Sequence, residues 1–263
     1  MTERVVVITG ASSGIGAALA VQLGRRGDMV ALGARREREL ANAAAQAGAN
    51  ALPVVTDVTK RRDVEHLRDA ALSEFGHVDV WVNNAGRGIN RPVSELTEED
   101  VRGVIDVVLM STLYGMQAIL PHFKERGEGQ IVNVSSFLGR VPITSYRSIY
   151  SAAKSAVNVL SANLRMELRG QYPQIRVSVI MPGVVDTPFH DIATPPLPAR
   201  AGNSLWGSRV ESADDVAAKI VSLIDNPVPE LYTDPEGTKM VEGYYSNVAA
   251  FEDNLAKRQT RAS

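Results

Sequence analysis

The stretch VVVITGASSGIG, residues 5–16, decides how this chain is read. Its first half is a continuous β-branched run, the pattern of a strand buried on both faces. Its second half gathers glycines and serines into a turn. Ile15, Leu19 and Leu23 then share one face of a helix. Two chemistries fit the turn. Gly10, Ser12 and Gly14 match the G-x-S-x-G elbow that exposes a nucleophilic serine. Gly10, Gly14 and Gly16 also suit a phosphate cradle, in which a diphosphate meets free N–H groups at the positive end of a helix. The third possibility is a glycine-rich turn with no ligand.

Context favours the cradle. An elbow serine belongs late in a sheet, with its acid and then its histidine downstream. Here the motif follows the very first strand, and the last histidine is His190. Beyond the turn, apolar runs alternate with helical patterns. Strands are expected at 29–32, 51–56, 78–83, 130–134, 175–180 and 230–233. Helices are expected at 14–26, 37–47, 61–75, 97–120, 151–168 and 212–225. Thr97-Glu98-Glu99-Asp100 resembles a capping box. This alternation calls for a Rossmann-type α/β fold: a doubly wound parallel sheet of about seven strands with helices on both faces. No linker divides it, so residues 1–263 are read as one domain. Residues 187–210 form a substrate-loop region, and 244–263 a polar C-terminal tail.

Composition narrows the partners. Of 263 residues, 44% are hydrophobic and 22% charged, and the net charge of -2 argues against nucleic acid or an anionic membrane as the main partner. There are no cysteines, which excludes disulfides and thiolate chemistry. The four histidines show no metal-ligand spacing, so no metal is expected. No stretch approaches the ~20 apolar residues of a membrane span, and MTERVVVITG does not read as a signal peptide. A soluble cytoplasmic protein is expected.

Five stretches in order then carry a resemblance: TGASSGIG (9–16), NNAG (83–86), VSS (134–136), YSAAK (150–154) and PGVVDT (182–187). Together they resemble the short-chain dehydrogenase/reductase family, well over residues 2–187 and more loosely beyond. The resemblance implies an oxidoreductase moving a hydride between a nicotinamide cofactor and a carbonyl or secondary alcohol. It implies Tyr150 as the proton-exchanging group, Lys154 as its partner and a ligand of the nicotinamide ribose, and Ser136 as the group that binds the substrate carbonyl. Ser135 is the adjacent alternative. A lysine four residues from a tyrosine shares its helix face, and its charge is expected to pull the phenol below its usual value near 10.

For the cofactor, the resemblance implies Gly10, Ser12, Ser13, Gly14, Ile15 and Gly16 at the diphosphate, and Asp57 and Val58 at the adenine. It implies Asn83, Ala85 and Gly86 beside the adenosine ribose, Asn83 being as readily structural. Pro182, Gly183, Val185 and Thr187 would fix the nicotinamide amide. At the end of the second strand Ala34 stands where NAD enzymes usually place an acid, and Arg35 and Arg36 follow. A guanidinium suits a 2′-phosphate, so NADP(H) is expected over NAD(H). The family's catalytic asparagine is replaced by Val108, which implies a weakened or rerouted proton relay. A cofactor-binding regulatory or interaction protein that has lost turnover is the alternative function. The substrate is expected to meet residues 88–93, 138–147 and 189–206, with Arg140 and Arg147 read as surface arginines rather than ligands of an acidic group. A homo-oligomer, tetramer or dimer, is implied through the helices at 97–120 and 151–168.

Overall fold

The protein is described by a computed structural model over residues 3–189 and 210–262. The N-terminal half alternates β1 (Val5–Thr9), α1 (Gly14–Arg25), β2 (Met29–Ala34), α2 (Glu37–Ala47), β3 (Ala51–Val55), α3 (Arg61–Phe75) and β4 (Val80–Asn83). There follow α4 (Glu98–Val104), α5 (Ser111–Arg126), β5 (Gly129–Val134), α6 (Ser148–Leu168) and β6 (Ile175–Met181). Two short strands, β7 (Val185–Asp186) and β8 (Glu211–Ser212), pair only with each other. The chain ends with α7 (Ala213–Asp225), β9 (Glu230–Tyr232), α8 (Gly237–Ser246) and α9 (Val248–Ala262).

Seven strands form one parallel sheet in the order β3-β2-β1-β4-β5-β6-β9. The order reverses between β1 and β4, so the carboxyl end of β1 opens on the crevice where doubly wound sheets bind ligands. Strand alternation feeds two cores. Val6 and Ile8 face Leu19 and Leu23 of α1 and Ile220 of α7. Val5 and Val7 face Leu67 of α3 and Ile119 and Phe123 of α5. Both faces of the sheet are therefore covered, as the unbroken apolar reading of β1 requires.

Local signals explain most boundaries. Thr97 accepts from the Asp100 N–H at 3.2 Å, while the Asp100 carboxylate accepts from the Thr97 N–H at 3.0 Å, which closes a capping box. The helix expected to end near residue 120 differs. A π-helical turn, Ile105–Met110, joins α4 to α5, and α5 runs through Pro121 to Arg126. Proline removes one backbone donor, and the fully buried Phe123 just beyond it holds the last turns. The merged run Glu98–Arg126 is long and apolar enough to span a membrane, with a mean hydropathy of 1.6 over its best window. Here its Ile119 and Phe123 pack beneath the sheet. The polar tail is anchored too: Tyr244, Phe251 and Leu255 pack on Phe137, Val141 and Ile143. Most of the expected substrate loop lies outside the described residues.

Candidate active site

The turn after β1 is shaped by backbone crowding. Gly10 and Gly14 adopt φ of 70° and 55°, values that disfavour other residues. A Cβ on Gly16 would lie 2.5 Å from the Gly10 carbonyl and 2.6 Å from Asn84 Nδ2. The Gly10 N–H donates to the Gly33 carbonyl at 2.8 Å. Asn84 Nδ2 donates to the Thr9 and Gly10 carbonyls at 3.0 and 3.2 Å, and Thr9 Oγ1 accepts from the Asn84 and Ala85 N–H groups. Strands β1 and β4 thus fix the turn together. Ser13 precedes α1 without capping it, which leaves the first-turn N–H groups of Gly14, Ile15 and Gly16 outside the helix's own ladder. The Ile15 side chain packs into the core beside α1.

Arg36, on the surface after β2, folds back over this turn. Its guanidinium donates to Ser12 Oγ at 3.0 Å and to Ser13 Oγ at 2.6 Å. Arg35 is exposed and lies within electrostatic reach of Asp57. Partial burial pushes the Asp57 carboxyl up, but hydrogen bonds from Thr59 and the charges of Lys60 and Arg35 bring it below its usual value. Val58 beside it is buried.

The NNAG stretch divides its labour. The buried Asn83 amide donates to Asn133 Oδ1 at 2.8 Å, its oxygen accepts from the Trp81 indole at 2.8 Å, and Asn133 continues to Ser161. That buried chain ties β4 and β5 to α6, so the Asn83 side chain takes its structural role. Ala85 and Gly86 continue along the crevice, where a Cβ on Gly86 would lie 3.6 Å from the Phe189 ring.

Ser136 ends the loop from β5, and Tyr150 and Lys154 project from α6. They are 6%, 8% and 4% exposed. The Tyr150 hydroxyl lies near enough to Ser136 for that side chain to favour its phenolate form. Ser135 instead donates to the Lys154 carbonyl at 3.2 Å, which separates the two serines that sequence left open. Lys154 Nζ donates to the Val134 carbonyl at 2.6 Å and lies 5.8 Å from the centre of the Tyr150 ring. The expected downward pull on Tyr150 is overturned: burial raises the phenol above its ordinary value, and the nearby Ser136 side chain and the Arg147 charge oppose it only in part. Burial also lowers Lys154 to about 8.

Arg147 is a second correction. It is 4% exposed, not a surface residue. Its guanidinium sits 5.6 Å over the Phe189 ring, and that ring lies 5.5 Å from Tyr150. The signal was present, since Arg147 stands three residues before Tyr150 on the same helix face. Arg140, by contrast, pairs with Glu230. Val108 is fully buried against Tyr150, Ala153 and Val157. Its carbonyl accepts from Thr112 Oγ1 at 2.8 Å, and the π-helical turn carries it.

The segment after β6 connects the parts. The Pro182 carbonyl accepts from the Phe137 N–H at 2.9 Å, next to Ser136. Val185 is buried, and Thr187 lies where a Cβ on Gly14 would meet it at 3.2 Å. Turn, serine, tyrosine and lysine therefore line one crevice at the carboxyl edge of the sheet. Among the described residues, no group of three His, Asp or Glu could hold a metal.

A family model of short chain dehydrogenases matches residues 4–195. An uncharacterized oxidoreductase of Staphylococcus epidermidis is 36% identical over 187 residues, which is 71% of this chain and 80% of the relative. A solved 3-ketoacyl-(acyl-carrier-protein) reductase of Brucella melitensis, complexed with NADH, is 29% identical with a TM-score of 0.80, over 88% of this chain and 96% of that one. A solved alcohol dehydrogenase of the archaeon Thermococcus sibiricus, complexed with 5-hydroxy-NADP, is 32% identical with a TM-score of 0.76, over 89% and 97%.

Proposed function

The chain belongs to the short-chain dehydrogenase family, and from that premise we propose that it moves a hydride between NADP(H) and a carbonyl or secondary alcohol. The observation that carries this reading is the burial of Ser136, Tyr150 and Lys154 together, with Lys154 Nζ 5.8 Å from the centre of the Tyr150 ring. The cofactor supplies the hydride when bound. Ser136 orients the substrate oxygen. Tyr150 exchanges a proton with that oxygen, and the raised phenol keeps this proton at neutral pH, as carbonyl reduction requires. Lys154 supplies positive charge where the phenolate forms. Arg147 adds a second cation on the other side, beside Phe189.

The diphosphate rests on the turn of Gly10, Ser12, Ser13, Gly14, Ile15 and Gly16. Asp57 and Val58 take the adenine, while Ala85 and Gly86 border the ribose. Pro182, Gly183, Val185 and Thr187 take the nicotinamide end. The relatives bound to NADH and to an NADP derivative leave the choice open, so it rests on Arg36. That guanidinium already lies against Ser12 and Ser13, and Ala34 presents no carboxylate to repel a 2′-phosphate. Arg35 stands behind it near Asp57. A hydrogen bond to a charged group contributes about 1.5–3 kcal/mol. Arg36→Ala is therefore expected to weaken NADPH binding at least about tenfold and leave NADH within about twofold, measured by calorimetric titration. Equal losses for both would remove the NADP assignment. A homo-oligomer packed through α5 and α6 fits the exposed Val159 and Met166 of α6.

The function itself is tested by NADPH oxidation with a panel of apolar and moderately polar ketones. Turnover that requires Tyr150 supports it. Tight NADPH binding with no turnover on any ketone or alcohol would favour the regulatory alternative.

A further inference from the structure

An acid–hydroxyl–amine cluster lies outside the catalytic group, beside the segment that follows β6. Glu211, in β8, is 6% exposed. One of its carboxylate oxygens accepts from Thr233 Oγ1, and the other accepts from Lys219 Nζ. Lys219 Nζ also donates to the Thr233 carbonyl at 2.8 Å, which closes a ring. Thr233 spends its own hydroxyl proton on Glu211, so its oxygen is left to accept. It accepts from the Gly183 N–H at 3.3 Å.

The same peptide unit is held from its other side. Its carbonyl, that of Pro182, accepts from the Phe137 N–H at 2.9 Å. Both polar atoms of the Pro182–Gly183 peptide are therefore tied, one to the residue after Ser136 and one to the Thr233–Glu211 pair. A peptide plane fixed at both atoms cannot rotate without breaking a bond. β7 begins two residues later, and it pairs Val185 with Glu211 itself and Asp186 with Ser212. The Glu211 N–H donates to the Val184 carbonyl at 2.9 Å. Among the described residues, nothing lies within 4 Å of the place a Cβ on Gly183 would take.

We propose that Glu211, through Thr233 and with Lys219, is a positioning latch that sets the Pro182–Gly183 peptide and thereby orients the nicotinamide end of the bound cofactor. This rests on the nicotinamide reading above. Glu211 touches no cofactor atom in this account and acts only through the peptide it holds. A carboxylate suits this place because each of its two oxygens receives one donor, the ammonium on one and the threonine hydroxyl on the other. Replacement by an amide presents one oxygen and one NH2, so one of the two donors loses its partner.

The test separates the two halves of the dinucleotide. Full-length protein is titrated with NADPH and with 2′-phospho-ADP-ribose, the same molecule without its nicotinamide. Wild-type protein is expected to bind both. Glu211→Gln and Thr233→Val are expected to weaken NADPH about tenfold and leave 2′-phospho-ADP-ribose within about twofold. Thr233→Ser, which keeps the hydroxyl, is expected to restore the wild-type ratio. Lys219→Met, at a partly exposed position, gives a folded variant should the buried ones fail, with an expected loss of about threefold for NADPH alone. Equal weakening of both ligands, or no weakening in any variant, would overturn the latch. Wild-type protein that binds neither ligand would instead overturn the nicotinamide reading, and the latch with it.

Discussion

Tyr150→Phe is expected to lower kcat for ketone reduction by about 10²–10⁴-fold, the usual contribution of a positioned general acid. The substitution is well suited to the question. Phenylalanine keeps the ring that packs 5.5 Å from Phe189, and it keeps the contacts with Val108, Ala153 and Val157. It removes one oxygen, the one near Ser136. Ser136 Oγ still accepts from the Leu138 N–H at 3.2 Å, so the fold is expected to lose only about 1 kcal/mol. NADPH affinity should stay within about twofold. Absorbance assays and a binding titration on the same preparation check all three outcomes. Turnover at the wild-type rate would remove Tyr150 from the chemistry.

Lys154→Met is the second large effect, and it is expected in two readouts. Turnover should fall by about a hundredfold, because the buried site loses the ammonium closest to the tyrosine in sequence and in helix register. Stability should also change its dependence on pH. Burial lowers Lys154 to about 8 from an ordinary 10.5. Between those values the unfolded chain binds a proton that the folded chain has released. Stability therefore rises with pH across that window. Below about 8 both states carry the proton, and the burial penalty is present in full. Above about 10.5 neither carries it, and the penalty is gone. At about 1.36 kcal/mol per pKa unit, the rise is at most about 3 kcal/mol. The methionine variant has no such group, so the stability of the wild type relative to the variant should climb from pH 8 to pH 10. Urea unfolding at both pH values measures this. Parallel pH dependences would mean that Lys154 is not buried with its charge.

Much of this was legible in the sequence because the signals were local. The β-branched run of β1, the glycines after it and the capping residue Thr97 each act within a few residues of themselves. Helical spacing puts Tyr150 and Lys154 on one face, while their roles were legible only through the family resemblance. The parts that sequence missed depend on partners far along the chain. Arg147 reads as one more surface arginine until Phe189 is folded across it. The role of Asn84 depends on Thr9 and Gly10, some 75 positions earlier. The division between Ser135 and Ser136 was set by which way the β5 end turns toward α6. The sign of the Tyr150 shift was missed for an energetic reason: proximity to Lys154 was visible, but the opposing cost of burying a phenolate was not. The π-helical turn at Val108 left no local mark, since its residues are ordinary helix formers and apolar residues.

In the proposed reading the turn after β1, guarded by Arg36, is built for NADP(H). A titration of the purified wild-type chain with NADPH and, separately, with NADH tests this first. Both are expected to bind, NADPH at least about tenfold more tightly, the effect of one charge-assisted contact to the 2′-phosphate. Tighter binding of NADH, or no binding of either nucleotide, would contradict it.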